Sequence, residues 1–336
     1  MVVNQPLMFP APYFGGKSAI AHKVWEALGQ PAHYIEPFCG SAAVLLARPD
    51  YDPQRHTETV VDADGHIANV WRSLQQCPDE VAKWCDWPVS HVDLSARKLR
   101  LLREQEALKE RLIADDTFCN PRLAGYWIWA ASCWIGSGLT CIHQRPNLSN
   151  AGQGVHKLSQ IPHLSDAGKG VHRLGQRPHL SDAGQGVQEP YNTNLYTWFR
   201  QLSERLRYVR VVCGDWTRVC GGQWQGKMGT VGYFFDPPYA HAVGRDTKIY
   251  AEESPDVSAA VRRWAMARAE NPNYRIVLAG YEGEHDELER IGWRVIAWKT
   301  HGGYANLGGT NENRKRERLW LSKFCVGQEA ELFESA

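Results

Sequence analysis

Val231-Gly232-Tyr233-Phe234-Phe235-Asp236-Pro237-Pro238-Tyr239 decides how the rest of the chain is read. The first five residues form a short, unbroken run of strand type, and the two prolines cannot continue a ladder. We read a buried strand that ends abruptly. It carries a carboxylate, a rigid turn and an aromatic ring past its carboxyl end, which is where ligands bind in open α/β sheets. A tight turn with an N-capping aspartate is the other reading of a bare Asp-Pro-Pro-Tyr.

The four residues at the strand end suit one piece of chemistry. An exocyclic amine on a nucleobase is a poor nucleophile, because its lone pair is delocalised into the ring. Two acceptors on its two N–H bonds localise that lone pair toward an electrophile. Asp236 offers one acceptor and the Pro237 carbonyl the other. Tyr239 can stack on the base, an interaction worth roughly 1–3 kcal/mol.

Outward from this strand, the pattern repeats. About twenty residues upstream, Tyr208-Val-Arg-Val-Val-Cys213 reads as a strand ending in Gly214-Asp215-Trp216. Downstream we expect a helix at 256–270, a strand at 275–280, a short helix at 284–290, a strand at 292–298 and a last strand at 317–324. A long glycine-rich loop, 301–310, leads into the basic run Arg314-Lys315-Arg316-Glu317-Arg318. The tail, 326–336, reads as disordered.

The amino-terminal half supplies three further strand-end or loop signals. Gly15-Gly16-Lys17 precedes an apolar-periodic stretch at about 18–28, so its backbone can approach an anion or a carboxylate, with Lys17 as the partner. An ordinary helix-initiating turn explains it equally well. His33-Tyr34-Ile35-Glu36-Pro37-Phe38-Cys39-Gly40-Ser41 is a strand running into a turn and then a helix, with Gly40 allowing close backbone approach and Ser41 placed to cap. The G-x-G-x-x-G fingerprint is absent, which argues against NAD. A strand at 57–61 ends in Asp62-Ala63-Asp64. Asp62 lies 22 residues after Gly40, a spacing suited to a ribose diol, with a helix N-cap for 65–76 as the alternative. The leucines of 93–114, among them Leu94, Leu99, Leu101, Leu102, Leu108 and Leu112, mark an amphipathic helix. A buried helix follows at 123–135, and another at about 194–207.

Residues 145–188 are of a different kind. A 16-residue unit beginning at Arg145 recurs at Ile161 and, shortened, at Arg177. The copies are too polar to build a core and too few for a solenoid. We expect an exposed, mobile insertion. It is either an expanded linker or an arm lying along nucleic acid, with Arg145, His156, Lys157, Lys169, His172, Arg173 and Arg177 meeting phosphates.

Composition sets outer limits. The chain has 336 residues, 43% of them hydrophobic, enough for one large or two modest domains. A net charge of +1 leaves no global field for nucleic acid, so any such binding uses a local patch. Nine cysteines without a C-x-x-C pair argue against a disulfide framework and a zinc site, and for a reducing cytoplasm. No apolar run is long enough to span a membrane, and the amino terminus lacks a secretion signal.

In order along the chain, Gly15-Gly16-Lys17, Glu36-Pro37-Phe38-x-Gly40, Asp62, Gly214-Asp215 and Asp236-Pro237-Pro238-Tyr239 resemble the DNA adenine methyltransferases of the Dam type. Gly280-Tyr281-Glu282-Gly283-Glu284-His285, Gly302-Gly303-Tyr304 and Arg316-Glu317-Arg318-Leu319-Trp320 resemble phage and prophage members. The resemblance spans about 12–320. It departs at Ala42, where the family usually has a second glycine.

The resemblance implies an α/β fold: the Rossmann-like, seven-stranded mixed sheet of S-adenosylmethionine-dependent methyltransferases, its last strand antiparallel, with an inserted target-recognition region. It divides the chain into a first catalytic part, 1–84, the insertion, 85–193, a second catalytic part, 194–325, and the tail, 326–336. It implies S-adenosyl-L-methionine as methyl donor, with Tyr13, Gly16 and Lys17 flanking it, Glu36, Phe38 and Gly40 as its floor, Asp62 on the ribose and Asp215 and Trp216 at its adenine. Asp236, Pro237, Pro238 and Tyr239 would hold a flipped adenine of double-stranded DNA for direct displacement on the sulfonium methyl. No metal and no membrane partner is implied, and the chain would act as a monomer or weak dimer in the cytoplasm, with or without a partner restriction enzyme. The rival readings are another amino acceptor, RNA adenine included, and a catalytically silent DNA-binding protein.

Overall fold

Val231–Phe235 are buried at all five positions, and strands flank them on both sides. This is a computed structural model describing residues 7–11, 13, 16–88, 90–133, 139, 179–180, 187–188, 195–222, 229–238, 255–298 and 317–327. The strands are β1 (His33–Glu36), β2 (Thr57–Asp62), β3 (His179–Leu180), β4 (Val187–Gln188), β5 (Val209–Cys213), β6 (Val231–Phe235), β7 (Tyr274–Tyr281), β8 (Arg294–Ala297) and β9 (Glu317–Leu321). Seven of them form one mixed sheet in the order β5-β2-β1-β6-β7-β9-β8. β5, β2, β1, β6 and β7 are parallel neighbours, while β9 runs antiparallel between β7 and β8. β3 and β4 form a small antiparallel pair inside the repeated stretch, the rest of which lies outside the described residues.

The ten helices of the described residues are α1 (Ala21–Leu28), α2 (Ala43–Leu46), α3 (Gly65–Gln76), α4 (Pro78–Cys85), α5 (His91–Ala114), α6 (Pro121–Cys133), α7 (Leu195–Leu206), α8 (Thr217–Cys220), α9 (Pro255–Met266) and α10 (Asp286–Arg290). They cover both faces of the sheet, which explains why β6 reads as continuous hydrophobic sequence rather than an alternation. Successive side chains still point to opposite faces. Phe234, Val277 and Leu319 join Leu28, Trp71, Leu101 and Phe199 in one core. Tyr233, Phe235, Leu278 and Trp320 join Val219, Val261 and Leu288 in the other. Gly232 faces α1 so closely that an added Cβ would lie 2.8 Å from Pro31 Cγ, so glycine is what lets the helix seat on the central strand.

The described part of the 85–193 stretch, α5 and α6, packs against α3 and α4 and shares the first core. α5 runs as a helix over the span expected from its leucines, but its buried line is Leu94, Leu101, Leu108 and Leu112. Leu99 is exposed and Leu102 half-buried, because they lie to the side of that seven-residue repeat. On the far side of β2, Glu58 is wholly buried and accepts from both Arg48 and Arg205 (Nη1 to Oε2, 2.7 Å), tying α7 to the first part of the sheet.

Two carboxyl-terminal expectations need correction. The last strand ends at Leu321 rather than at 324: Ser322 still bonds Ile276 through its backbone and its hydroxyl, and the chain then turns back, Cys325 N–H donating to Ser322 O. Val326 and Gly327 belong to the fold and not to a loose tail. Val326 N–H donates to Ala27 O at 2.8 Å, and Arg294 donates to Gly327 O at 2.7 Å. Residues 328–336 lie outside the described set.

Candidate active site

The strand order reverses between β1 and β6. From β1 the chain steps outward to β2 and β5; from β6 it steps the other way to β7. A crevice opens at the carboxyl ends of strands at such a switch point. Glu36 closes β1, Asp62 closes β2, and Asp236 directly follows β6, so the three carboxylates are set on neighbouring strand ends by topology alone.

The turn after β1 is held from several sides. Cys39 N–H donates to Val61 O (2.9 Å) and Gly40 N–H donates to Asp62 Oδ2 (2.8 Å). Trp71 Nε1 reaches out of α3 to donate to Gly40 O at 2.8 Å. Gly40 has φ +43°, and an added Cβ would fall 2.7–2.9 Å from the Tyr13 ring and hydroxyl. Glycine is thus required twice, by backbone conformation and by the ring that covers it. Ala42 also adopts the left-handed region, at φ +45°, where a side chain costs roughly 1–2 kcal/mol.

Ser41 does not cap the following helix. No side chain caps α2 from the position before it. Leu45 N–H instead donates to the buried Glu36 carboxylate at 3.2 Å, and the Tyr34 hydroxyl donates to the same oxygen at 2.9 Å. Both contacts use Oε2, so Glu36 clamps the start of α2 through one oxygen. Burial pushes this carboxyl up to about 8. The charges of Asp236 and Glu58 push the same way, against the two hydrogen bonds.

Asp62 is not the N-cap of the next helix. Asp64 takes that role, accepting from His66 N–H at 2.7 Å. Asp62 Oδ1 accepts from Asp64 N–H at 2.9 Å while Oδ2 holds Gly40. It keeps some exposed surface but sits deep among protein atoms. Burial, and then the charge of Asp64, push its carboxyl up to about 7. An ionised carboxylate has about four lone-pair sites, so two backbone donors leave capacity for a diol.

Lys17 is buried and its Nζ lies 2.7 Å from Asp236 Oδ2. Of the two readings open for this lysine, anion or carboxylate, the structure shows the carboxylate, and it is the Asp-Pro-Pro-Tyr aspartate. Gly16 is exposed beside the turn, its hydrogen side facing Ser41 Oγ at 3.5 Å from an added Cβ. The Gly-Lys loop thus lies along the Gly40–Ser41 turn and reaches across to β6. Pro237 is buried and Pro238 half-buried; Tyr239 lies outside the described residues.

An aromatic wall completes the crevice. Phe38 packs on Trp216 and Phe235, ring centres 6.4 Å away in each case, and Trp216 meets Phe235 edge-on at 6.2 Å. Trp216 belongs to the second core. Asp215 is exposed, and its Oδ1 is spent on the start of α8, accepting from Thr217 N–H at 2.9 Å and from the Thr217 hydroxyl. Tyr13, Gly40 and Asp62 are joined by these contacts, and Lys17 is joined to Asp236; Glu36 bonds Tyr34 and Leu45, and Phe38 packs on Trp216 and Phe235. Asp215 stands at the rim, one strand further out.

Three supports went unread in the sequence: Trp71, Tyr34 and Asp64. Tyr34 is two residues from Glu36 on one strand and so on the same face, a spacing that signals the contact. Nothing local to Trp71 signals its bond to Gly40, 31 residues away. Among the described residues no group of three or more metal-type ligands occurs, and no helix is long and apolar enough to cross a membrane.

No protein-family model matches the chain, and no curated protein matches its sequence.

Proposed function

We propose that the chain is a DNA adenine methyltransferase that uses S-adenosyl-L-methionine and holds a flipped adenine at Asp236-Pro237-Pro238-Tyr239. The observation that carries the reading is the union of Asp236 with the turn after β1. The Asp236 strand end and the Glu36–Gly40 turn lie on adjacent strands and are bridged by the loop that bears Lys17. The seven-stranded sheet with β9 antiparallel supports the same reading, since the resemblance implies that arrangement.

The donor set fits the cofactor. Glu36 and Asp62 offer carboxyl oxygens to a cationic group and a diol, a bound cation drawing the proton off Glu36, and Phe38 with Trp216 offers a flat apolar wall to a purine. When bound, S-adenosylmethionine supplies a methyl group on a sulfonium, ready for in-line attack. The chain's own part is positional. Lys17 keeps Asp236 anchored and compensates its charge, while the remaining lone pairs of that carboxylate accept an N–H of the target amine. The Pro237 carbonyl accepts the other. Asp62 keeps the Gly40 turn closed against the cofactor, and Glu36 holds the start of α2 behind it.

The test is transfer of a labelled methyl group to duplex DNA, with RNA and peptide amides as competing acceptors. Asp236→Ala is expected to abolish transfer while cofactor binding survives. Full turnover by that variant removes the site assignment. The Lys17–Asp236 link also favours a second reading, a DNA-binding protein whose acceptor stays occupied; tight duplex binding without methyl transfer would select it.

A further inference from the structure

A groove of about 380 Å³ lies on the outer side of the edge strand β5, away from the crevice described above. It runs between the end of α5 and the short helix α8. Three arginines line it, Arg72, Arg210 and Arg218, against one acid, Asp116. That balance is unlike the chain as a whole, with its net charge of +1.

The backbone of β5 shows why guanidinium groups gather there. Gly214 N–H bonds Asp62 O, so even-numbered residues here face β2 and odd-numbered ones face outward. Each outward carbonyl accepts from a side chain: Val209 from Gln75 at 2.8 Å, Val211 from Arg72 at 3.0 Å, and Cys213 from Arg218. An edge capped in this way is closed to pairing with another strand. The N–H group of Val211, which lines the groove, turns to the same side as its carbonyl.

The arginines are not used up by these contacts. Arg72 is 3% exposed and its Nε and Nη1 are fully engaged, Nη1 closing the end of α5 on the carbonyls of Leu112, Asp115 and Phe118. Its Nη2 makes no hydrogen bond among the described residues. Arg210 and Arg218 are exposed, and neither forms an ion pair among the described residues. Burial disfavours the charged form of Arg72, and the Arg218 charge acts in the same direction. Two guanidinium groups held together, with spare donors and a backbone N–H group beside them, are complementary to an oxyanion.

We propose that this groove binds a phosphate-type oxyanion between Arg72, Arg210 and Arg218. The source is either a free phosphate ester or the backbone of a nucleic acid. The proposal does not rest on methyl transfer.

The experiment is calorimetric titration of the full chain with inorganic phosphate, at an ionic strength held constant with chloride. Saturable binding to the native chain is expected. Arg210→Ala weakens it about tenfold, the loss of one charge-assisted contact, and Arg210→Ala/Arg218→Ala removes it. Arg218 also caps Cys213, so melting curves without phosphate check that fold is retained. Arg210, whose side chain makes no hydrogen bond or ion pair among the described residues, keeps the test valid if the Arg218 variant fails to fold. A second arm titrates duplex DNA. If the double variant loses duplex affinity and its salt dependence flattens, the occupant is the nucleic-acid backbone; if duplex binding is unchanged while phosphate binding is lost, it is a free ester. No saturable binding above the chloride control, or phosphate binding unchanged in Arg210→Ala, overturns the proposal.

Discussion

Lys17 Nζ lies 2.7 Å from Asp236 Oδ2, with only 8% and 18% of the two side chains exposed. Breaking a buried pair by removing one partner costs about 3–5 kcal/mol, because the other charge stays desolvated. Lys17→Met keeps most of the stem and removes the charge. We expect a loss near the lower end of that range, read from urea unfolding, and recovery of most of it in Lys17→Met/Asp236→Leu. A loss in the single variant that the double variant does not recover would mean that the lysine stem, not its charge, carries the contact.

The Gly40–Tyr13 approach separates into two parts. Gly40→Ala is expected to destabilise by roughly 2–4 kcal/mol, combining left-handed strain with overpacking against the ring. In a Tyr13→Ala background the packing part vanishes, leaving about 1–2 kcal/mol of conformational cost. A double-mutant cycle by denaturant unfolding measures the difference. Equal costs in both backgrounds would show that the ring yields freely.

Ala42 makes the opposite prediction. Its φ of +45° is relieved by glycine, which regains roughly 1–2 kcal/mol. Glycine loses about 0.5–1 kcal/mol through the greater freedom of the unfolded chain. Ala42→Gly should therefore be stabilising by about 0.5 kcal/mol, measured as a shift in the urea midpoint. A clear loss of stability would mean that the methyl group packs in a way that outweighs the strain.

Glu36 sets a pH dependence. Its folded carboxyl stands at about 8 against an ordinary value of 4.5, so the folded state holds a proton that the unfolded state has released. The associated stability is fully present below about pH 4.5 and is lost as pH rises through about 8. Each unit of that rise is worth about 1.4 kcal/mol. Glu36→Gln cannot ionise, so its stability relative to the native chain should improve between about pH 5 and pH 8.5. Parallel curves for the two proteins across that range would contradict the buried, protonated carboxyl.

Much of this fold is written in short-range patterns. The Val231–Phe235 run, the glycine turn after Glu36 and the leucine spacing of α5 each declare their element, because burial on one or both faces imposes its own period. The acidic strand ends were equally legible, since each strand pattern stops at a carboxylate in the sequence. What stayed hidden is which acid does what. Asp62 and Asp64 differ in role only because Gly40, 22 residues away, turns its N–H toward the first of them. The Lys17–Asp236 bond joins residues more than two hundred positions apart, and no local signal encodes it. The cap on α2 was misread for the same reason: Ser41 has the right chemistry at the right place, but Glu36, buried beneath, reaches the backbone first.

The placement of β9 between β7 and β8 has a consequence for synthesis. As the chain leaves the ribosome, residues 294–297 emerge with no strand to lie beside, and β7 stands with one margin open, until residues 317–321 follow. A stop codon anywhere in the intervening stretch would leave that margin bare and ready to capture a strand of another molecule. The strand of this sheet that is synthesised last is thus also the one that covers the open margin of β7.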